Sequence, residues 1–361
     1  MQFIDLKAQQ NRIRKSLDAR IAKVMDHGQY ILGPEITELE NMLAKYVGVK
    51  HCITCASGTD ALLMVLMAYG IKAGDEVITT PFTFIATAEV VSLLGATPVF
   101  VDIDEKTYNI DYTKIEEKIT SKTKAIMPVS LYGQCADMDE INEIGKKHNL
   151  PVIEDACQSF GAAYKGRKSC GLSSAGCASF FPAKPLGCYG DGGAAFTNDD
   201  ELAEKLKQIR NHGQAVRYQH SMVGINGRFD TMQAAVLLSK MEIFEEEVQL
   251  REAMGKKYTE KFKKSGKNVL TPFIKDINLC VYAQYTVQVE NREETQKKLN
   301  DQGIPTAVHY PIPLNLQPVY EHLNQPMGSF PAAENLAKKV MSLPMHPYLT
   351  DEQIDKVVSA F

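Results

Sequence analysis

The stretch His51-Cys52-Ile53-Thr54-Cys55-Ala56-Ser57-Gly58-Thr59-Asp60-Ala61-Leu62-Leu63-Met64-Val65-Leu66-Met67-Ala68 joins a strand to a helix. Residues 52–56 have the alternation of a short strand, and residues 57–60 form a turn rich in helix-capping side chains. Residues 61–68 are good helix formers. This strand–turn–helix unit marks the point where the chain begins to alternate between strands and helices.

Six further strands follow, and helices separate several of them. The strands are predicted at residues 76–80, 98–102, 125–129, 151–155, 178–181 and 193–196, with helices at 87–94 and 138–148. Strands that alternate with helices predict an α/β fold, in which a mostly parallel, doubly wound sheet lies between helices. The fold expected for the large domain is therefore a mostly parallel seven-stranded sheet.

The segments before and after this region of alternating strands and helices have different patterns. Two helices, 8–25 and 34–46, come first and are expected to pack outside the sheet or across to a partner. A long helix from about residue 231 to 262 links to a small α+β domain, with strands at 282–289 and 306–310 and helices at 292–302 and 332–340. We expect the N-terminal segment and large domain over 1–240, and the small C-terminal domain over 241–361.

Composition excludes several functional classes. The 361 residues carry a net charge of −4, so no basic face for nucleic acid is indicated. No apolar run approaches the ~20 residues of a membrane span, and the first residues do not resemble a secretory signal, so a cytoplasmic protein is expected. Cys52 and Cys55 have C-x-x-C spacing but no second pair, so they are interpreted as buried thiols and no metal site is predicted.

Lys184 is the most unusual residue in the sequence. It lies in Ser179-Phe180-Phe181-Pro182-Ala183-Lys184-Pro185-Leu186-Gly187 and is the only charged residue between Ala175 and Gly190. An amine in apolar surroundings loses its proton more readily, and a neutral amine can form a Schiff base with a carbonyl. The alternative is a lysine whose stem covers apolar surface while its ammonium group stays in water.

Other polar residues are expected beside this lysine, because ligands of such sheets bind at the carboxyl ends of the strands. Gly58 and Thr59 begin a helix that can bind an anion, and Ser179 can add a hydroxyl. Asp155 ends a strand, and Phe84 is aromatic. Taken singly, the helix start is better explained as an ordinary N-cap and Phe84 as a core residue, and Asp155 is also consistent with a capping acid. Pyridoxal phosphate accounts for all of them together with Lys184, because it has an aldehyde, a phosphate, a flat ring and a ring nitrogen that a carboxylate keeps protonated.

Seven motifs make the whole chain resemble the DegT/DnrJ/EryC1/StrS family of sugar-nucleotide aminotransferases, which are fold-type-I pyridoxal phosphate enzymes. They are GQYILGPE (28–35), ASGTDAL (56–62), PFTF (81–84), EDACQS (154–159), SFFPAK (179–184), GDGG (190–193) and NGR (226–228). Related dehydratases of this family have histidine in place of the Schiff-base lysine. The presence of Lys184 therefore favours transamination.

The resemblance implies a role for each matching residue. Lys184 would form the Schiff base, Asp155 would pair with the pyridinium nitrogen, and Gln158 would lie near the ring hydroxyl. Phe84 would stack on the ring, while the phosphate would be held by Gly58, Thr59, Ser179 and, from the neighbouring subunit of a homodimer, Asn226. Arg228, His309 and Tyr310 would contact the sugar nucleotide. Alternatively, Arg228 is an interface ion-pair residue and His309 is a hydrogen-bonded histidine at a domain junction.

The resemblance also implies a reaction. Stretches 128–137 and 308–315 are similar to the family members that use L-glutamate to aminate C3 of a UDP-linked 2-acetamido-3-keto-glucuronic acid, for O-antigen sugars of lipopolysaccharide. One alternative is amination at C4 of a 4-keto-6-deoxy sugar nucleotide. The other is a non-catalytic regulator that binds pyridoxal phosphate or a sugar nucleotide.

Overall fold

The computed structural model describes residues 1–361, which form eleven α-helices joined by strands, turns and short 3-10 segments. The helices are α1 (Leu6–His27), α2 (Pro34–Val47), α3 (Gly58–Ala68), α4 (Ala86–Leu93), α5 (Met138–His148), α6 (Asp200–Arg210), α7 (Thr231–Met241), α8 (Phe244–Ser265), α9 (Arg292–Asp301), α10 (Pro331–Lys339) and α11 (Asp351–Ser359). No helix is both long enough and apolar enough to span a bilayer.

Fourteen strands accompany these helices, most of them short. They are β1 (His51–Cys55), β2 (Glu76–Thr79), β3 (Thr97–Phe100), β4 (Thr123–Ile126), β5 (Ile153–Asp155), β6 (Ala163–Tyr164), β7 (Arg167–Lys168), β8 (Ala175–Ser179), β9 (Gly193–Thr197), β10 (Gln214–Val216), β11 (Gln219–His220), β12 (Asn278–Leu279), β13 (Tyr285–Gln288) and β14 (Val340–Leu343).

Seven of the strands form one twisted sheet at the centre of the molecule. A four-stranded part, in the order β1-β9-β8-β5, continues into a three-stranded part, β4-β2-β3, through parallel bridges from Ile126 to Val152 and from Val129 to Asp155. Only β9 runs antiparallel to its neighbours. The predicted α/β fold with a mostly parallel seven-stranded sheet is therefore confirmed.

Helices cover both faces of this sheet. Successive side chains of a strand point to opposite faces, so each strand presents apolar residues to the helices on both sides. Val77 and Ala125 pack in one buried cluster with α3, α4 and α6. Their neighbours Ile78 and Ile126 pack in the other cluster, with α1, α2 and α7. Strands buried on both faces are near-continuous apolar runs, which explains why they could be recognised in the sequence.

The C-terminal part has its own apolar core around the antiparallel pair β13–β14, with α8 and α11 packed on it. The predicted strand at 306–310 is wrong, because this segment makes only one bridge, from Ala307 to Ser342. Pro305 and Pro311 flank the segment, and proline lacks the N–H group that would continue a ladder.

The predicted long helix from about residue 231 to 262 is also interrupted. The chain leaves α7 at Met241 and re-enters a helix at Phe244, and the Ile243 N–H donates to Lys240 O, three residues back. This break turns Phe244 into the large-domain cluster, against Tyr46 and Phe160. Val248 of α8 packs in that cluster whereas Met254 packs in the C-terminal core. The division at 240/241 stays a prediction.

Candidate active site

The carboxyl ends of the parallel strands open into a cavity of about 680 Å³ between the sheet and the C-terminal part. Nine of the residues singled out from the sequence line this cavity, and they come from six separate parts of the chain. They are Gly58, Thr59, Phe84, Asp155, Gln158, Ser179, Lys184, His309 and Tyr310. The fold thus brings most of the predicted site together.

The first turn of α3 forms one wall of the cavity. The Ser57 hydroxyl caps the helix by accepting from the Asp60 N–H (3.0 Å), and Gly58 and Thr59 follow with N–H groups that have no partner within the helix. A Cβ on Gly58 would lie 2.6 Å from Ser179 Cβ and 2.9 Å from Cys157 Sγ. Glycine therefore allows the helix start, the Ser179 hydroxyl and the cavity to meet at one place, which suits an anion.

Two adjacent acids at the end of β5 point to opposite faces of the sheet. Asp155 lines the cavity, is 4% exposed, and accepts from Thr87 Oγ1 (2.7 Å) and from the Cys157 N–H (3.2 Å). Glu154 instead points into the protein and accepts from the hydroxyls of Ser130 and Ser169. Burial raises the pKa of Glu154, and these hydrogen bonds oppose that rise. Only Asp155 is placed to meet a ligand.

Lys184 lies half-buried in the loop between β8 and β9. Burial lowers the pKa of its amine, while the nearby Cys157 and Asp155 oppose that change. The Lys184 N–H donates to Phe181 O (2.9 Å), and the Cys188 N–H donates to Phe180 O (2.8 Å), so the loop is folded tightly on itself. A lowered pKa makes the neutral, nucleophilic amine more abundant near neutral pH.

His309 and Tyr310 form the opposite wall of the cavity and are tied to Gln158. The Gln158 amide donates to the Tyr310 hydroxyl (3.0 Å), and its Oε1 accepts from the Tyr132 N–H (3.0 Å). The Tyr132 hydroxyl in turn donates to the His309 carbonyl. Gln158 and the histidine–tyrosine pair are therefore held as one unit.

The His309 ring is oriented by a hydroxyl. Its Nδ1 lies 2.8 Å from Ser342 Oγ, which itself lies 2.9 Å from Thr286 Oγ1. Burial lowers the pKa of His309 to about 4, and the positive charge of Lys184 contributes to the shift. A neutral imidazole, with Nδ1 engaged by Ser342, thus lies beside the Lys184 amine at neutral pH.

Three predicted residues differ from the rest in their position. Phe84 is 54% exposed at the cavity, with its ring centroid 6.0 Å from that of Tyr310. Asn226 and Arg228 do not line the cavity: Asn226 is exposed, and Arg228 Nη1 donates to Asn211 Oδ1 (2.9 Å). Arg228 pairs with no carboxylate of its own chain.

Several cavity residues were not anticipated from the sequence. Thr87 lines the cavity and donates to the carboxylate of Asp155. Tyr132 does not line the cavity, but it hydrogen-bonds to both Gln158 and His309. Phe3 and Ile4 reach the cavity from the N-terminal segment, where the Met345 N–H donates to Phe3 O (3.1 Å). Thr87 follows the PFTF motif closely enough to have been suspected, whereas no local signal marks Phe3 or Ile4.

The residues present fit pyridoxal phosphate. A half-buried amine with a lowered pKa, a buried carboxylate, an exposed aromatic ring and a glycine-lined helix start share one cavity. No group of three or more His, Cys, Asp or Glu side chains is placed to hold a metal ion. Fold and site together define an aminotransferase of the fold-type-I pyridoxal phosphate class.

The chain belongs to the DegT/DnrJ/EryC1/StrS aminotransferase family, whose model matches residues 11–361. A similar characterised protein is the UDP-2-acetamido-2-deoxy-3-oxo-D-glucuronate aminotransferase of Pseudomonas aeruginosa. It is 59% identical over 360 residues, which cover 100% of this chain and 99% of that protein. The family resemblance inferred from the seven motifs is confirmed, and the chain is a sugar-nucleotide aminotransferase.

Solved structures agree with this assignment. A family aminotransferase from Brucella abortus superposes with a TM-score of 0.95 at 44% identity, covering 100% of this chain and 98% of that one. A Bacillus subtilis protein with bound cofactor PMP gives a TM-score of 0.91 at 32% identity, covering 97% and 81%. The predicted pyridoxal phosphate dependence is thereby confirmed for the family to which the chain belongs.

Proposed function

We propose that this chain transfers the amino group of L-glutamate to C3 of UDP-2-acetamido-2-deoxy-3-oxo-glucuronic acid. The observation that carries the choice of substrate is the 59% identity, over the full length, to the Pseudomonas aeruginosa protein with that name. A role in making sugars of an O antigen is part of the same proposal.

The cavity residues divide into those that hold the cofactor and those that act on the substrates. The helix start at Gly58 and Thr59, with the Ser179 hydroxyl, would hold the phosphate, and Phe84 would cover the ring. Asp155 would face the ring nitrogen, with Gln158 beside the ring hydroxyl. When bound, pyridoxal phosphate supplies an aldehyde for amines and a cationic ring that withdraws electrons from the adjacent bonds.

Lys184 is the proposed catalytic residue. Its pKa is lowered by burial, so Nζ is available both to bind the aldehyde and to accept a proton from Cα of glutamate. In the second half of the reaction the same Nζ delivers a proton to C3 of the sugar. Asp155, which is buried and hydrogen-bonded to Thr87, would face the ring nitrogen and favour its positive charge.

The sugar nucleotide would bind on the side of His309 and Tyr310. The neutral His309 can exchange hydrogen bonds with sugar hydroxyls, and Tyr310 is held by Gln158. Arg228 has a guanidinium group without a carboxylate partner in its own chain, and a guanidinium binds a carboxylate such as that of a uronic acid in a fork. Because Asn226 and Arg228 lie outside this cavity, we place them in the site of a second copy of the chain.

The test is to incubate the purified enzyme with L-glutamate and one keto sugar nucleotide at a time. We expect mass spectrometry to detect an aminated product from the UDP-linked 3-keto uronic acid and little from a 4-keto-6-deoxy sugar nucleotide. The reverse preference would establish the C4 alternative. Replacing L-glutamate by L-glutamine in parallel reactions tests the choice of donor.

A spectroscopic test separates the enzyme from a non-catalytic regulator. The visible absorption band of the holoprotein should decline when glutamate alone is added, and Lys184→Ala should lose both this decline and turnover. Lys184→Arg is the matched control that keeps the charge. A band unaffected by glutamate would favour the regulator, and a Lys184→Ala variant with wild-type turnover would contradict the assignment of Lys184.

A further inference from the structure

A second lysine, Lys240 of α7, lies completely buried beneath the loop that carries Lys184. Its Nζ donates to Gly187 O at 2.5 Å and lies 4.4 Å from the centroid of the Tyr189 ring. No carboxylate lies within ion-pair distance of this amine. Its visible partners are therefore a carbonyl and an aromatic ring, and both belong to the same loop.

Burying an ammonium group without a counter-ion is costly. Burial lowers the pKa of Lys240 to about 8, and the more distant Glu247 and Cys188 only partly oppose this shift. An apolar side chain of similar length would fill the same space without that cost. The contribution of the amine therefore lies in the two loop groups that it contacts.

A second side chain of α7 holds the same loop. Gln233 Oε1 accepts from the Tyr189 N–H (2.8 Å), and Gln233 Nε2 donates to Tyr189 O (3.2 Å), so one amide satisfies both backbone groups of Tyr189. Gly187, which Lys240 contacts, and Tyr189, which Gln233 contacts, lie three and five residues after Lys184 in the chain. Helix α7 thus fastens the loop immediately beyond Lys184.

The loop also lacks room to rearrange. A Cβ on Gly187 would lie 2.5 Å from the carbonyl oxygens of both Phe181 and Pro182. Those carbonyls belong to the turn in which the Lys184 N–H donates to Phe181 O. A displacement of Gly187 would therefore be transmitted directly to the backbone of Lys184.

We propose that Lys240 and Gln233 are positioning residues, which hold the loop from Phe181 to Tyr189 so that Lys184 Nζ points into the cavity. The inference rests on the proposed role of Lys184 in binding the cofactor aldehyde. Lys240 itself does not line the cavity.

The experiment measures how fast Lys184 reacts with pyridoxal phosphate, rather than turnover. Apoprotein is mixed with pyridoxal phosphate, samples are reduced with borohydride at intervals, and peptide mass spectrometry counts the labelled Lys184. Removing a hydrogen bond to a charged group should make labelling of Lys240→Met about ten-fold slower. Lys240→Arg, which keeps a donor, should restore part of the rate.

Ser239→Ala is the matched control, because the Ser239 hydroxyl is buried on the same helix and donates only to Ala235 O. It should react at the wild-type rate. If Lys240→Met does not fold by circular dichroism, Gln233→Ala gives the same test and should also slow the labelling. Wild-type labelling rates in folded Lys240→Met or Gln233→Ala would overturn the inference. If Lys184 of the wild-type protein is not labelled at all, the proposed function itself is contradicted.

Discussion

The hydroxyl of Thr87 donates a 2.7 Å hydrogen bond to Asp155 Oδ2, and both residues are buried at the wall of the cavity. The two residues are distant in the sequence, one at the start of α4 and the other at the end of β5. A buried carboxylate needs donors to stay ionised. The hydroxyl therefore both stabilises the charge of Asp155 and orients it.

Thr87→Val, which keeps the shape and removes the donor, should weaken the binding of pyridoxal phosphate. A hydrogen bond to a charged group contributes roughly 1.5–3 kcal/mol, so the dissociation constant should rise about ten-fold or more. Thr83→Val is the matched control, because Thr83 Oγ1 contacts Thr87 (3.1 Å) rather than Asp155. An absorbance titration measures both, and equal effects of the two variants would contradict the role given to Thr87.

Gly58→Ala should also weaken cofactor binding, but through crowding. The new Cβ would meet Ser179 Cβ at 2.6 Å, so the start of α3 must move away from the cavity. Overpacking of this kind costs about 1–3 kcal/mol. Gly171→Ala crowds Val47 at 3.0 Å and does not line the cavity, so it should leave the affinity for pyridoxal phosphate unchanged. The prediction fails if Gly58→Ala binds the cofactor as tightly as Gly171→Ala.

Asn226 provides a test of whether two copies share each site. When a Lys184→Ala chain and an Asn226→Ala chain are co-expressed with different tags, the purified heterodimer contains one site with both residues intact. That heterodimer should have about half of the wild-type activity, while each homodimer should have little. A heterodimer as inactive as its parents would show that Asn226 does not serve the partner's cavity.

Two histidines, the partly buried His309 and the buried His346, should make the apoprotein less stable in mild acid. Burial lowers the pKa of both His309 and His346 to about 4, from 6.5 in the unfolded chain. Between these values only the unfolded chain binds the protons. The free energy of unfolding should therefore be unaffected by these groups above pH 6.5. As the pH is lowered below 6.5, the free energy of unfolding should decrease by up to about 1.4 kcal/mol per pH unit for each histidine.

Urea denaturation from pH 4.5 to 7 checks this sign. His309→Gln and His346→Gln should each flatten the decline, while exposed His322→Gln should not change it. The raised pKa of Glu154 acts in the opposite direction and is common to all the variants. Slopes that remain at the wild-type value in both His309→Gln and His346→Gln would contradict the assignment.

Local chemistry made much of the fold predictable. Helix α5 was predicted at 138–148 and is observed at Met138–His148, because Asn149 takes the left-handed conformation that ends a helix and Pro151 follows. The strand at 306–310 failed for the opposite reason. Its alternating residues resemble a strand, but Ala307, His309 and Tyr310 line the cavity and the backbone makes a single bridge.

The break between α7 and α8 was equally invisible in the sequence. Residues 241–244 contain no glycine or proline, and Phe244, directly after the break, packs against Phe160 and Tyr46. Such tertiary contacts outweigh helix propensity, which differs by less than about 1 kcal/mol between ordinary residues. Phe3, Ile4 and Thr87 were missed at the cavity for the same reason, because their role depends on neighbours far away in the chain.

By itself, the sequence determined the alternation of strands and helices, the unusual apolar surroundings of Lys184, and the motifs that identify the family. These depend on local propensity, capping and residue type, which are properties of short segments. Only the tertiary structure decided that Lys240 lies beneath the Lys184 loop, that Phe3 and Ile4 reach the cavity, and that Asn226 and Arg228 lie outside it. Those outcomes follow from which face of each element is buried and from contacts between distant residues.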